Sequence, residues 1–179
     1  MRRIERVSPC PSGKTLAFTG HRPDKYPCLG DEVSLGYRAV RDSLLSHVNR
    51  AISEGFTHFV CGGALGVDTM AAKLVLELKK RAPGITLEIA VPCERQHKYW
   101  REQDRREYER LLAMADVVTW ISDAYTPFCM IERNRYMVDM CSRLIAVFDG
   151  TRGGTYNTVK YALDKGVETV VTDPRKLIV

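Results

Sequence analysis

Apolar and polar positions follow two rhythms along this chain. Short apolar runs rich in β-branched and aromatic residues recur at 15–20 (TLAFTG), 57–61 (THFVC), 86–92 (TLEIAVP), 116–122 (DVVTWIS), 143–150 (RLIAVFDG) and 168–173 (ETVVTD). Runs of this length and content predict strands. Between them the apolar residues return every three or four positions, as in Val67, Met70, Ala71, Leu74, Val75 and Leu78. That spacing predicts amphipathic helices. They fall at Val33–Ser53, 67–81, 97–115, Pro127 to about Cys141, and Gly153–Lys165. Gly55, Pro83-Gly84 and Gly166 supply stops, and Pro127 suits a first helical turn. The charged helix 97–115 is expected to anchor through Tyr99, Trp100, Leu111 and Leu112, and Arg135 to pair with Asp139 one turn on.

Strands alternating with helices predict an α/β fold: a doubly wound, mainly parallel Rossmann-like sheet with helices on both faces. Residues 1–179 read as a single domain of this kind, with 1–14 an N-terminal tail. "SPCPSGKT" in that tail ends like a phosphate-binding P-loop. It lacks the leading glycine and precedes the first strand instead of following it.

Ligands of such folds bind beyond the carboxyl ends of the strands. Polar and glycine-rich segments gather at these predicted ends. The first strand runs into Thr19-Gly20-His21-Arg22-Pro23. The second runs into Gly62, Gly63 and Gly66, with Asp68 in the following helical turn. The fifth ends in Asp149-Gly150-Thr151-Arg152-Gly153-Gly154-Thr155. A glycine turn feeding a helix N-terminus leaves backbone N–H groups free to meet an anion. Two such turns at one sheet edge predict a phosphate-bearing ligand. Arg22 has the planar fork that pairs with phosphate. His21 is a second donor, and Asp68 is placed to cap free amides or hold a ribose hydroxyl. Glu132 is the candidate acid–base residue and Asn134 the candidate reader of a base edge.

The dinucleotide fingerprint G-x-G-x-x-G is absent: the first strand ends in a single glycine, and Cys61 stands where the leading glycine of the second turn belongs. A standard nicotinamide-dependent oxidoreductase is therefore not expected. Six cysteines form no Cys-x-x-Cys pair and four histidines show no paired spacing, so neither a metal site nor a disulfide framework is read from them. A reducing cytoplasm is the expected compartment. The N-terminus has no apolar signal segment, and no apolar run reaches the ~20 residues that span a bilayer. A net charge of +5 allows an anionic ligand but is small for a nucleic-acid-coating surface, so nucleic acid is not the expected partner.

"FTGHRP", "CGGALGVD", "AVPC", "RNRYMVD" and "DGTRGGT" together resemble the YpsA-like branch of the SLOG superfamily. That superfamily takes its name from the Smf/DprA DNA-uptake proteins and the LOG phosphoribohydrolases. The similarity runs from about Thr15 to the C-terminus. It implies a Rossmann-like domain with a nucleotide or nucleotide-derived ligand across the strand ends, and the leading expectation is a sensor or sequestering module for such a small molecule, of the ADP-ribose-like or cyclic-nucleotide kind. At the family level a homo-oligomer is expected; no cofactor is expected. By position, the resemblance assigns ligand contacts to Thr19, Gly20, His21 and Arg22, to Gly62, Gly63, Gly66 and Asp68, and to Gly153, Gly154 and Thr155. LOG enzymes cleave base from nucleoside monophosphate with the glutamate of P-G-G-x-G-T-x-x-E. Here "RGGTYNTVKYA" has Asn157 and Thr158 near that place. N-glycosidic hydrolysis is thus the alternative reading, with DprA-like DNA binding behind it.

Overall fold

The computed structural model describes residues 14–94 and 96–177. The P-loop-like tail segment up to Gly13 lies outside the described residues. Six strands form one parallel sheet: β1 (Thr15–Gly20), β2 (His58–Cys61), β3 (Thr86–Cys93), β4 (Val117–Ser122), β5 (Arg143–Val147) and β6 (Glu168–Thr172). Their connections are the helices α1 (Leu35–Ser53), α2 (Val67–Lys79), α3 (Glu102–Met114), α4 (Cys129–Met140) and α5 (Gly154–Asp164). The expected doubly wound, Rossmann-like α/β architecture is present.

Strand order is β4-β3-β2-β1-β5-β6. The chain winds outward from β1 to β4, then returns to the centre to place β5 beside β1. The switch point therefore lies between β1 and β5, where a crevice opens at the carboxyl ends. The two sheet faces carry different side chains. Leu16 and Phe18, Phe59, Leu87, Ile89 and Ile145 pack under α1, α2 and α3. The opposite parity offers small residues, Ala17, Ala90 and Ala146, to α4 and α5. Small residues let those two helices approach the sheet closely.

Near the amino ends of the strands, the α4 face also carries a buried polar cluster. His58 Nε2 and Glu88 Oε2 are 2.8 Å apart, while Thr119 Oγ1 and Tyr136 OH each donate to Glu88 Oε1 at 2.7 Å. Tyr136 belongs to α4, so this cluster pins that helix to β2, β3 and β4. Burial pushes the Glu88 carboxyl up, but the His58, Tyr136 and Thr119 donors outweigh it and leave it below its ordinary value.

Several expectations shift on folding. α3 begins at Glu102, not 97, and Tyr99 is 88% exposed, so it is no anchor. Tyr108 and Leu111 are the buried residues of that helix. Gln96–Trp100 form the turn that precedes it. Asp139 meets Lys165 and Tyr161 OH instead of Arg135, whose guanidinium lies over the Tyr161 ring. The α4–α5 packing brings these aromatic and charged groups together across the helices.

Because the folded-state value of Glu88 is depressed, its contribution is complete above the ordinary value of 4.5 and is lost as pH falls below it. Glu88→Gln is expected to cost about 1–3 kcal/mol at pH 7 in urea unfolding. The gap between wild type and variant should narrow as the pH is lowered into the acid range. A gap independent of pH would show that the ionised carboxylate is not what holds α4.

Candidate functional site

Four chain segments converge at the β1–β5 switch point around a cleft of about 280 Å³. The end of β1 and its loop contribute Thr19, Gly20, His21, Arg22 and Lys25. Gly153, Gly154 and Thr155 come from the start of α5, Ala64 and Asp68 from the start of α2, and Arg133, Asn134 and Met137 from α4. Nine of the residues expected from sequence therefore line one cavity: Thr19, Gly20, His21, Arg22, Asp68, Asn134, Gly153, Gly154 and Thr155.

The loops are tied to one another before any ligand arrives. His21 is 4% exposed, and its Nε2 lies 2.9 Å from Asp149 Oδ1 and 3.1 Å from the Asp149 backbone nitrogen. Thr151 donates its N–H and hydroxyl to the same carboxylate at 3.0 and 2.7 Å. These Thr151 donors, ahead of His21, hold the Asp149 carboxyl well below the usual range. Thr155 Oγ1 donates to Gly20 O at 3.1 Å, and His21 N–H donates to Val147 O at 3.0 Å. His21 thus clasps the β1 loop to the segment after β5. Lys25 Nζ donates to Arg152 O, while Arg22 is exposed and makes no ion pair among the described residues.

Gly62, Gly63 and Gly66 sit beside the cleft but do not line it. At Gly63, φ is +63°, and a β-carbon would meet Ile89 Cγ2 at 2.8 Å and the Tyr108 ring at 3.1 Å. At Gly66, φ is +90°, and a β-carbon would press on His21 O at 2.6 Å and Arg22 Cα at 3.1 Å. Gly66 lets α2 dock against the β1 loop, where Val67 N–H donates to His21 O at 3.3 Å. A β-carbon at Gly62 would sit inside the Arg133 guanidinium and 2.7 Å from Asp68 Oδ2. The room left by these glycines is thus taken up by protein atoms.

Arg133 is the residue that sequence reasoning passed over in favour of its neighbour. Glu132 lies on the exposed side of α4 and does not line the cleft. Arg133 is only 5% exposed. Its Nε donates to Asn134 Oδ1 at 2.8 Å, and its Nη1 stands 3.6 Å from Asp68 Oδ2. Nη1 is buried and makes no hydrogen bond among the described residues. Asn134 therefore orients the guanidinium. A signal was present: Cys129, Arg133 and Met137 recur every four residues on the buried side of α4, so an arginine interrupts an apolar stripe. Asp68 is itself 7% exposed and accepts from Ala64 N–H at 3.2 Å. Burial pushes its carboxyl up, and the opposing pull of Arg133 and the Ala64 N–H does not bring it back to its ordinary value.

The cleft thus combines one buried arginine with unspent hydrogen-bonding capacity, exposed Arg22 and Lys25, and the N-terminus of α5. Positive charge, free donors and a helix N-terminus together favour an anion. Among the described residues, no group of three metal-ligating side chains occurs and no helix is long and apolar enough to cross a membrane.

Comparison with known proteins gives a consistent picture. Residues 16–174 match the profile of the YspA SLOG family. The uncharacterized SPbeta prophage-derived protein YoqJ of Bacillus subtilis (strain 168) is 34% identical over 136 residues, covering 69% of this chain and 80% of the relative. The UPF0398 protein YpsA of the same organism is 26% identical over 147 residues, 79% of each chain. Among solved structures, DNA processing protein A from Streptococcus pneumoniae superposes with a TM-score of 0.61 at 18% identity. That match covers 88% of this chain and about half, 49%, of the other. The Helicobacter pylori protein of the same name, solved for its single-stranded DNA binding mode, gives 0.58 at 16% identity, covering 90% of this chain and 69% of that one.

Two glycine substitutions separate packing from exposure. Gly66→Ala forces a strained φ against the backbone of the β1 loop and is expected to cost about 1–3 kcal/mol. Gly154→Ala has nothing within 4 Å of the new methyl group and is expected to leave stability within about 0.5 kcal/mol. Thermal denaturation reads both. Equal losses would mean that the close contact at Gly66 is not what its glycine serves.

Proposed function

The chain belongs to the YspA SLOG family, and we propose that it binds a nucleotide or nucleotide-derived small molecule through a phosphate held in the β1–β5 cleft. The observation that carries this reading is Arg133. A buried guanidinium with an unpartnered Nη1 is costly unless something completes its hydrogen bonding. A phosphate does so with charge-assisted, two-pronged geometry. The first turn of α5 at Gly154 and Thr155 offers free N–H groups to the same anion. Arg22 and Lys25 close the open side. The role is that of a sensor or sequestering module acting in the cytoplasm.

N-glycosidic hydrolysis is the second reading, and a specific observation favours it. Asp68 is a buried carboxyl in the cleft whose proton affinity is raised by burial. A carboxyl so tuned suits proton transfer to a leaving base. On this reading Asp68, rather than the exposed Glu132, holds the proton that would reach the base.

Calorimetric titration with nucleoside monophosphates tests the binding. Arg22→Ala removes an exposed side chain without a folded partner, so the fold should be unchanged. The affinity should fall roughly tenfold to a hundredfold, the equivalent of one charged hydrogen bond at about 1.5–3 kcal/mol. Arg22→Lys should recover only part of it, because lysine lacks the planar fork. Arg133→Met should abolish binding. Affinity unchanged in both Arg22→Ala and Arg133→Met would remove the phosphate site. Release of free base that stops in Asp68→Asn would establish the hydrolase reading. Release that stops only in Glu132→Gln would move the chemistry to the exposed side of α4.

A further inference from the structure

Two of the buried cysteines meet. Cys93 is the last residue of β3 and Cys129 the first of α4, and both are buried, at 1% and 0% exposure. They are far apart in sequence, with α3 and β4 between them. α4 packs on β3, and the Cys93 and Cys129 thiols lie within hydrogen-bonding reach of each other. The other described cysteines have different neighbours. The Cys61 thiol meets the Gly63 N–H, Cys28 meets the Tyr26 hydroxyl, and Cys141 donates to Val138 O at 3.5 Å. A buried cysteine by itself fills space as a small apolar residue. A facing pair has a second capability, because two thiols in contact can be joined as a disulfide with little movement of the chain.

Both sulfurs are shielded in the closed fold. Burial, and after it the neighbouring Cys129 thiol, push the Cys93 thiol up to about 11. A thiol so raised is a poor nucleophile at neutral pH, because the thiolate is the attacking form. Access comes through the first turn of α4. The start of a helix leaves N–H groups unpaired, and a side-chain cap commonly answers one of them. Here the cap position is Phe128, which is 63% exposed and provides no side-chain cap. The Cys129 N–H reaches Thr126 O at 3.3 Å. An uncapped turn with its apolar residue in solvent belongs to the part of a fold that opens locally. Opening it returns the thiols to water and to ordinary reactivity.

We propose that Cys93 and Cys129 are a redox modification site: a small-molecule disulfide such as oxidised glutathione converts them to an intramolecular disulfide that staples the start of α4 to the end of β3. One protein thiolate attacks a sulfur of the small disulfide, whose other half leaves as a thiolate and takes up a proton. The second protein thiolate attacks the protein sulfur of this mixed disulfide and expels the second small thiol. Two protein thiols are oxidised, and one small disulfide is reduced to two thiols. The bond closes the long segment that holds α3 and β4, so it constrains the unfolded chain strongly. Cys129 and Arg133 lie one turn apart on the buried side of α4, so the staple also fixes the helix that carries the arginine of the cleft.

Equilibrating the full wild-type chain with oxidised glutathione, then alkylating it and mapping its peptides without reduction, tests this. The expected product is a peptide pair joined through Cys93 and Cys129 and released by dithiothreitol. The oxidised chain should unfold at least about 4 °C above the reduced one. Cys129→Ala should abolish both the bond and the rise, whereas Cys28→Ala should leave both intact. Cys93 and Cys129 recovered at equilibrium as free thiols or glutathione adducts, or joined to another cysteine or to a second chain, would overturn the site. An unchanged or lowered midpoint in the bonded chain would overturn the staple.

Discussion

A buried guanidinium organises this end of the molecule. Arg133 lies almost wholly out of water, and removing an unpaired charge from water costs far more than a hydrogen bond returns. The surroundings therefore answer it. Asp68 faces it at 3.6 Å, Asn134 fixes its Nε, and Gly62 leaves vacant the volume that the guanidinium fills. These residues come from α4, the start of α2 and the end of β2. Each segment is consequently placed with respect to the others by one charge. The pair is incompletely satisfied: Nη1 makes no hydrogen bond among the described residues, and Arg133 lines the cleft. Such incompleteness is a recurring property of ligand sites, where stability is given up for a preformed environment.

The rest of the fold supports that placement. Alanines on one face of the sheet bring α4 close, and the carboxylate of Glu88 fixes the helix at Tyr136, one turn beyond Arg133. The other face carries large aliphatic and aromatic residues under α1, α2 and α3. A well-packed face on one side and a close, polar-anchored helix on the other give the cleft rigid walls. His21 serves the same end. Its contacts with Asp149 lock the β1 loop to the segment after β5, which leaves Arg22 as the projecting member of that loop. Its side chain is exposed and makes no ion pair among the described residues.

Much of this was legible in the residues. The two rhythms of apolar spacing identified the six strands and five α-helices of the described residues, though not the 3-10 turns at Pro27–Gly30 and Pro174–Lys176, and the glycine-rich strand ends lie at the sheet edge where the cleft opens. Boundaries were less sharp: Gln96–Trp100 carry aromatic residues that imitate a helical stripe, yet the helix starts at Glu102. The roles of individual residues were less legible still. Gly62, Gly63 and Gly66 invited a single explanation, whereas each has its own neighbour: Arg133, Ile89 with Tyr108, and the backbone of the β1 loop.

The sequence by itself determined the alternation of strand and helix, hence the doubly wound sheet, because periodicity is a local property that each segment carries alone. It also determined which loops are polar and glycine-rich. Only the tertiary structure decided the strand order that puts β5 beside β1, and with it the meeting of Thr19–Arg22 with Gly153–Thr155. Only the tertiary structure decided that Arg133, and not Glu132, is buried and lines the cleft. Adjacent helical residues point about 100° apart, and which of them is buried depends on where strands distant in sequence have placed the sheet. No local rule contains that information, since it is set by the packing of α4 against β1 and β3.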